Sequence, residues 1–291
     1  DDVLLESAEY LDGMRFSVGT LLYSATGPSE AEVAGKLSGT TLDVPESFAF
    51  GGTGYRITGI GDFAFYRSDL TALGDLGSVT TVGEHAFEWS ALGGGLTIPD
   101  SVTSIGAYAF AHCDGITSLD LGSVEFIESY AFASMGGIDE IPLEIPASLQ
   151  NMSALAFDKT YFTEYVVEDG NRFYTSVDGV LYYYDSLYGV PYAYSFDGEG
   201  SGPITIPENC TGMFYGALDC PFITAVYVEE GNTHFTSVDG VLYSKDMSAL
   251  YCRPGEYGKD LVIPEGVVCV YGDALVGPSV TSEHQSWHVS F

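Results

Sequence analysis

Cations are scarce in this sequence. Nine Lys and Arg face 41 Asp and Glu, a formal net charge of −32 over 291 residues. A surface for nucleic-acid phosphate or anionic lipid needs clustered positive charge, so the composition argues against both. No Lys or Arg occurs between Ser68 and Asp158, and no basic patch can arise from that stretch. Long apolar runs are missing as well: no eighteen consecutive apolar residues occur, which excludes an ordinary transmembrane helix. Cysteine is sparse, and Cys113, Cys210, Cys220, Cys252 and Cys269 include no Cys-x-x-Cys pair. A zinc ribbon or a thioredoxin-type site is therefore unsupported, and the cysteines read as small buried hydrophobes rather than a disulfide scaffold.

Catalytic signatures are absent in the same way. None of His85, His112, His234, His284 or His288 begins His-Glu-x-x-His, and neither a Gly-x-Ser-x-Gly elbow nor a phosphate-binding loop occurs. Gly51-Gly-Thr-Gly54 does not complete a dinucleotide fingerprint and reads as a loop. Carboxylates are too many for a chance pair to signify glycoside hydrolysis, which needs two of them across a cleft. The sequence is thus read as non-enzymatic, with no catalytic residue, cofactor or metal assigned.

What is present is apolar and repetitive. Apolar residues make up 46%, aromatics 14%, and mean hydropathy is +0.14, ample to bury a core and unlike a disordered acidic tail. A six-residue box recurs as Ile60-Gly-Asp-Phe-Ala-Phe65, Val82-Gly-Glu-His-Ala-Phe87, Ile105-Gly-Ala-Tyr-Ala-Phe110 and Ile127-Glu-Ser-Tyr-Ala-Phe132. Degenerate copies follow at Met152 to Phe157, Met213 to Leu218 and Val270 to Leu275. The first five boxes begin at Ile60, Val82, Ile105, Ile127 and Met152, a near-constant step that matches the length of one solenoid coil. Between boxes, Leu96-Thr-Ile-Pro99, Ile204-Thr-Ile-Pro207 and Leu261-Val-Ile-Pro264 alternate with period two and predict short strands with one apolar face. Each proline should stand where its strand ends, because it cannot donate to a ladder. The Ala-Phe step should point inward at the opposite edge of the coil. One coil cannot bury its own apolar face; stacked neighbours can.

A longer motif overlies the short one. Phe235-Thr-Ser-Val-Asp-Gly-Val-Leu-Tyr243 repeats the segment ending at Tyr182, and Ser17-Val-Gly-Thr-Leu-Leu-Tyr23 is a worn third copy. Asp178-Gly179 and Asp239-Gly240 between β-formers predict hairpin turns.

These residues resemble the BspA-like leucine-rich repeats, whose pattern is carried by Ile98-Pro-Asp-Ser-Val-Thr-Ser-Ile-Gly-Ala-Tyr-Ala-Phe-Ala-His-Cys-Asp-Gly-Ile116. The resemblance runs from about residue 14 to residue 275, with departures at Glu128 and at Gly216-Ala-Leu218. It implies a leucine-rich-repeat solenoid, β-rich with short helical or irregular turns and inserted β-hairpins. The expected organisation is an N-terminal cap with a degenerate hairpin module over 1–50 and a solenoid over 51–275. Hairpin insertions are expected near 165–200 and 226–260, with residues 276–291 matching no repeat. The resemblance also places Cys113 and Cys220 at an inward turn position close to neighbouring backbone. It further implies an exported or cell-surface protein mediating adhesion, with no common catalytic residues to carry over. The opening Asp1-Asp2 reads as a processed or trimmed start, a signal peptide having been removed.

Three features invite a ligand. Glu168-Asp-Gly-Asn171 and Glu229-Glu-Gly-Asn232 recur at the offset of the long motif and suit either a turn or a cation site, with the turn favoured. His284-x-x-x-His288 has metal-pair spacing but lies in the unmatched tail. Nine of the 21 tyrosines fall between Tyr161 and Tyr194. Of these, Tyr183, Tyr184, Tyr188, Tyr192 and Tyr194 are the candidate ligand-binding residues, since Tyr offers contact area with a polar tip. Tyr182 aligns with Tyr243 and belongs to the core. The expected partner is a host or bacterial surface protein or a glycan, without nucleic acid or membrane insertion. A carbohydrate-binding module using the 182–194 cluster and a structural surface spacer are the competing readings.

Overall fold

The computed structural model describes residues 9–12, 15–190, 202–214, 217–218, 223–254, 261–271, 280–282 and 289–290. The chain forms two compact units: Asp1–Tyr161 with Val167–Phe173, and Phe162–Val166 with Tyr174–Phe291. It is a β-solenoid of leucine-rich-repeat type.

In the first unit each box opens on a two-residue strand. Thr81–Val82, Ser104–Ile105, Phe126–Ile127 and Asn151–Met152 follow the longer strand Thr53–Ile60 and pair with one another in parallel. The register sets Ile60 beside Val82, then Ile105, Ile127 and Met152, all buried. Past this edge the coil turns through the Ala-Phe step. Phe65, Phe87, Phe110, Phe132 and Phe157 stack in one buried file with centroids 5.0–5.3 Å apart and interplanar angles of 3–13°. Ala86, Ala109, Ala131 and Ala156 lie beside them, also buried. The box Gly is needed for approach to the preceding coil: a Cβ on Gly106 would come within 2.8 Å of the Glu84 nitrogen.

The turns themselves are irregular, and no helix occurs among the described residues. The reason is visible in the second coil. The amides of His85, Phe87 and Trp89 donate to Ala107, Ala109 and Ala111 of the next coil, while those of Ala86, Glu88 and Ser90 turn back to Gly83, His85 and Phe87. A helix would consume every amide internally. Here half of them hold the next coil.

On another edge the period-two segments form strands as the alternation predicts. Leu96 and Ile98 are buried around exposed Thr97, and Ile204 and Ile206 around exposed Thr205. The strands Gly93–Thr97, Gly202–Ile206 and Leu261–Ile263 end just ahead of Pro99, Pro207 and Pro264.

The long motif is a three-stranded antiparallel meander that hands over to a parallel coil strand, and it occurs three times. Arg15–Val18, Leu21–Ala25 and Glu30–Lys36 lead to Thr53–Ile60. Tyr174–Val177, Val180–Tyr183 and Ser186–Gly189 lead to Gly212–Met213. Phe235–Val238, Val241–Ser244 and Ala249–Cys252 lead to Cys269–Tyr271. Each meander shifts register at the same step, Leu22/Tyr23, Leu181/Tyr182 and Leu242/Tyr243, and each Tyr of that step is buried. The worn N-terminal copy is therefore a full structural equivalent. Asp178-Gly179 and Asp239-Gly240 have positive φ at both residues (50° and 76°, 51° and 82°), the mirror-image turn that matches strand twist. The first meander belongs to the ten-stranded sheet, and the second and third begin a four-stranded and a five-stranded sheet.

Two stability outcomes follow from this packing. Phe110→Ala removes the middle ring of the buried file and should lower the free energy of unfolding by about 3–5 kcal/mol in a urea titration. Val177→Ala, at a 43% exposed position, should change it by less than about 0.5 kcal/mol.

Candidate interaction surface

The tyrosine cluster divides by depth. Tyr183 is half-buried, Tyr184 is 59% exposed, and Tyr188 is buried, pointing inward from Ser186–Gly189. Tyr183 touches Tyr184 edge-on at 4.8 Å and 77°, and Tyr188 meets Tyr174 at 5.4 Å and 88°. Burial, reinforced by Tyr174, pushes the Tyr188 hydroxyl well above its ordinary pKa. Tyr188 thus supports Tyr183 from below, while Tyr184 faces solvent at a left-handed turn position, φ 53°. Tyr192 and Tyr194 lie outside the described residues, as do His284, His288 and Cys220.

The two Glu-x-Gly-Asn segments are turns that staple coils together. Asn232 is buried with its amide fully used: Nδ2 donates to the carbonyls of Pro207 and Cys210 (2.8 Å each), and Oδ1 accepts from the amides of His234 and Phe235 (2.8 and 2.7 Å). Asn171 repeats the pattern with Pro146, Leu149 and Phe173. The first Glu of each segment accepts a backbone amide across the coil, Glu168 from Ala147 at 2.9 Å and Glu229 from Glu208 at 2.6 Å. These oxygens satisfy the protein rather than a cation. Among the described residues no group of three or more His, Cys, Asp or Glu side chains is placed to hold a metal ion.

Cys113 occupies the inward turn position as the resemblance implies. Its thiol lies 3.2 Å from the Phe87 carbonyl and 3.3 Å from the Ser90 hydroxyl, and burial pushes its pKa up to about 11. Thr160 does the same work two coils on, donating to Phe132 O at 2.6 Å.

One exposed feature was not singled out from the sequence. The fourth residue of each box sits at positive φ: Phe63 (57°), His85 (55°), Tyr108 (56°) and Tyr130 (60°). Their rings form an outer file with centroids 4.6, 4.8 and 4.9 Å apart and angles of 14°, 4° and 17°. Trp89 stacks on His112 alongside at 3.9 Å, and Phe63, Tyr66 and Trp89 are all exposed. Glu88 lies 2.5 Å from His85 Nδ1 and Glu84 3.4 Å from its Nε2. Within the second unit a separate open groove of about 690 Å³ is lined by Tyr227, Glu229, Glu230, Asp239 and Lys245 among others.

Three measurements test these assignments. Asn232→Ala leaves buried carbonyls and amides unpartnered and should destabilise the chain by at least about 2 kcal/mol, while calcium added after chelation leaves the unfolding temperature unchanged. Mass-mapped alkylation at pH 8 should leave Cys113 unmodified in the folded chain and label it in guanidinium. Burial also raises the Tyr23 hydroxyl, so Tyr23 and Tyr188 stay neutral in the folded chain while unfolded tyrosines ionise near pH 10. The resulting stability is complete below about pH 10 and is lost as pH rises above it, which denaturant midpoints at pH 8 and pH 11 would show.

Comparison with known proteins accords with this geometry. The BspA type Leucine rich repeat region matches residues 58–177 in six copies. No curated protein matches the chain by sequence. Among solved structures, the pneumococcal vaccine antigen PcpA superposes with a TM-score of 0.64 at 14% identity, covering 98% of this chain and 89% of its own. A leucine-rich cell surface protein from Faecalibacterium prausnitzii A2-165 gives 0.50 at 17% identity, covering 91% and 86%. Both likenesses are of fold. With the box, the inward Cys position and the stacked Phe file all in place, residues 58–177 have the geometry expected of the BspA type leucine-rich repeats that their sequence matches.

Proposed function

We propose that this chain is a non-enzymatic protein of the bacterial exterior that adheres to other macromolecules through protein–protein contact. The observation that carries the reading is the filling of the coil interior. Stacked Phe, Ile and Ala side chains occupy the core, and the rings and carboxylates left over face solvent along the coil edges. Such an arrangement offers extended contact area rather than converging reactive groups. An exterior location is supported by the two fold relatives, one a vaccine antigen and the other a cell surface protein. The net charge of −32 favours basic partners and disfavours acidic ones. Immobilised matrix proteins and intact host cells should bind the purified chain saturably; a flat response across a broad panel overturns the reading.

A second reading rests on Tyr184, whose exposed ring stands beside Tyr183 and suits stacking on a sugar. Tyr183 and Tyr184 are the residues proposed to contact it, with Tyr192 and Tyr194 as further candidates, while Tyr188, being buried, is withdrawn as a contact and supports Tyr183 from beneath. A glycan array should then show hits that Tyr184→Ala abolishes. An array that stays blank removes the sugar reading and leaves the protein-binding one standing.

A further inference from the structure

We infer that the outer ring file Phe63-His85-Tyr108-Tyr130 is a docking strip for a cationic stretch of extended polypeptide, with arginine or lysine side chains lying along it. The inference rests on the protein-binding reading above and names its face and the chemistry of its partner.

Three observations converge on this strip. The first is conformational. Large aromatic side chains disfavour the left-handed region, where Gly or Asn sits at lower cost, yet four successive coils place a ring there. These rings contribute no core: Phe63 is 55% exposed, and Tyr108 and Tyr130 are only half-buried. The left-handed conformation belongs to the coil turn, since Arg67, Trp89, His112, Ser134 and Lys159 adopt it at the next such position; what marks this position is a ring in all four coils, held outward by that backbone.

The second is shape. The rings stack nearly parallel, so their faces are covered by one another and their edges form a flat ribbon. Three steps of about 4.8 Å make it roughly 14 Å long, the reach of four or five residues in an extended chain. A neutral sugar needs an open ring face, which the inner rings His85 and Tyr108 do not present. The aliphatic stems of Arg and Lys need only a flat apolar footing while their charged ends reach for carboxylates.

The third is charge. From Asp69 to Asp158 there are thirteen Asp and Glu and no Lys or Arg. Asp62 and Glu84 directly precede rings of the file in the chain, Glu128 stands two residues before Tyr130, and all three are exposed. Glu88, Asp158 and Glu84 lie close enough to Tyr108 to raise its pKa, after desolvation and Tyr130. The cations at this turn are Arg67, which stacks over Tyr66 at 5.3 Å, and Lys159, 3.9 Å from Asp158; they bracket the strip and leave its middle negative.

The test uses the full chain and a fluorescent peptide of six Arg-Ala repeats, followed by anisotropy and by Trp89 emission. Saturable binding is expected, and the counterpart with citrulline for Arg, which keeps shape and loses charge, should not bind. The double change Phe63→Asn and Tyr108→Asn removes rings while suiting the left-handed backbone, so the fold is retained; it should weaken binding about tenfold or more. Glu84→Gln with Glu128→Gln should do the same. Asp139→Asn with Glu144→Gln, an equal loss of charge on another coil edge, should leave affinity within about twofold. The strip is overturned if both carboxylate pairs weaken binding equally, if the citrulline peptide binds as well, or if Trp89 responds to neutral oligosaccharides instead. A chain that binds the Arg peptide through the strip yet takes up no matrix protein or cell retains the site and loses the adhesion reading. A chain that takes up matrix protein undiminished by either strip variant retains the adhesion reading and loses the site.

Discussion

A single coil of this chain has an apolar face with nothing to cover it and a row of backbone amides with nothing to accept them. Both deficits are met by the next coil. The amides of residues 85, 87 and 89 donate to the carbonyls of 107, 109 and 111, and the same displacement carries Phe87 onto Phe110. Hydrogen bonding and ring burial therefore come from one geometric operation, a translation of about 4.8 Å per coil. This coupling explains why the box tolerates little change at its Ala-Phe step and much at its fourth residue. The first faces the stack and the second faces water.

Polar residues that enter the coil interior keep the operation going rather than interrupting it. Cys113 and Thr160 reach backbone carbonyls at the inward turn. Asn171 and Asn232 replace missing backbone partners where a coil meets a meander. Ser176 and Ser237, equivalent residues of two meanders, donate to the carbonyls of Tyr165 and Val226. A buried polar atom left unpaired is costly, and each of these residues sits beside an acceptor or donor that the coil geometry has left over; the Ser68 hydroxyl, at the inward turn of the first box, is the exception.

The repeat was legible because its period is in the chain itself: the boxes at Ile60, Val82, Ile105, Ile127 and Met152 come at an almost even step, and all five end on the same Ala-Phe pair. Proline positions and Asp-Gly turns followed from local physics that stacking does not alter, whereas the inward cysteine followed from the family resemblance. Other features were hidden for a definable reason. The outer ring file mixes Phe, His and Tyr, so no single residue type marks it, and rings a whole coil apart in the chain touch only once the coils are superposed. Tyr188 gave no sign of its burial because the third meander strand, Ser186–Gly189, lacks a distinct pattern. The Glu-x-Gly-Asn segments favoured a turn on paper while leaving a cation site open. The decision lay in neighbouring carbonyls, which the preceding coil supplies.

One consequence follows from the likeness of the bonds between successive boxes. Gly83 donates to Ile60, Gly106 to Val82 and Ser153 to Ile127, at 2.8, 2.8 and 2.9 Å. Because donor and acceptor recur unchanged, excising the residues from one box to the next would bring together two surfaces already shaped for each other. Gene length in such an architecture can therefore grow or shrink in whole turns without redesigning what lies inside. The protein's reach is quantised, and a lineage can adjust it by counting.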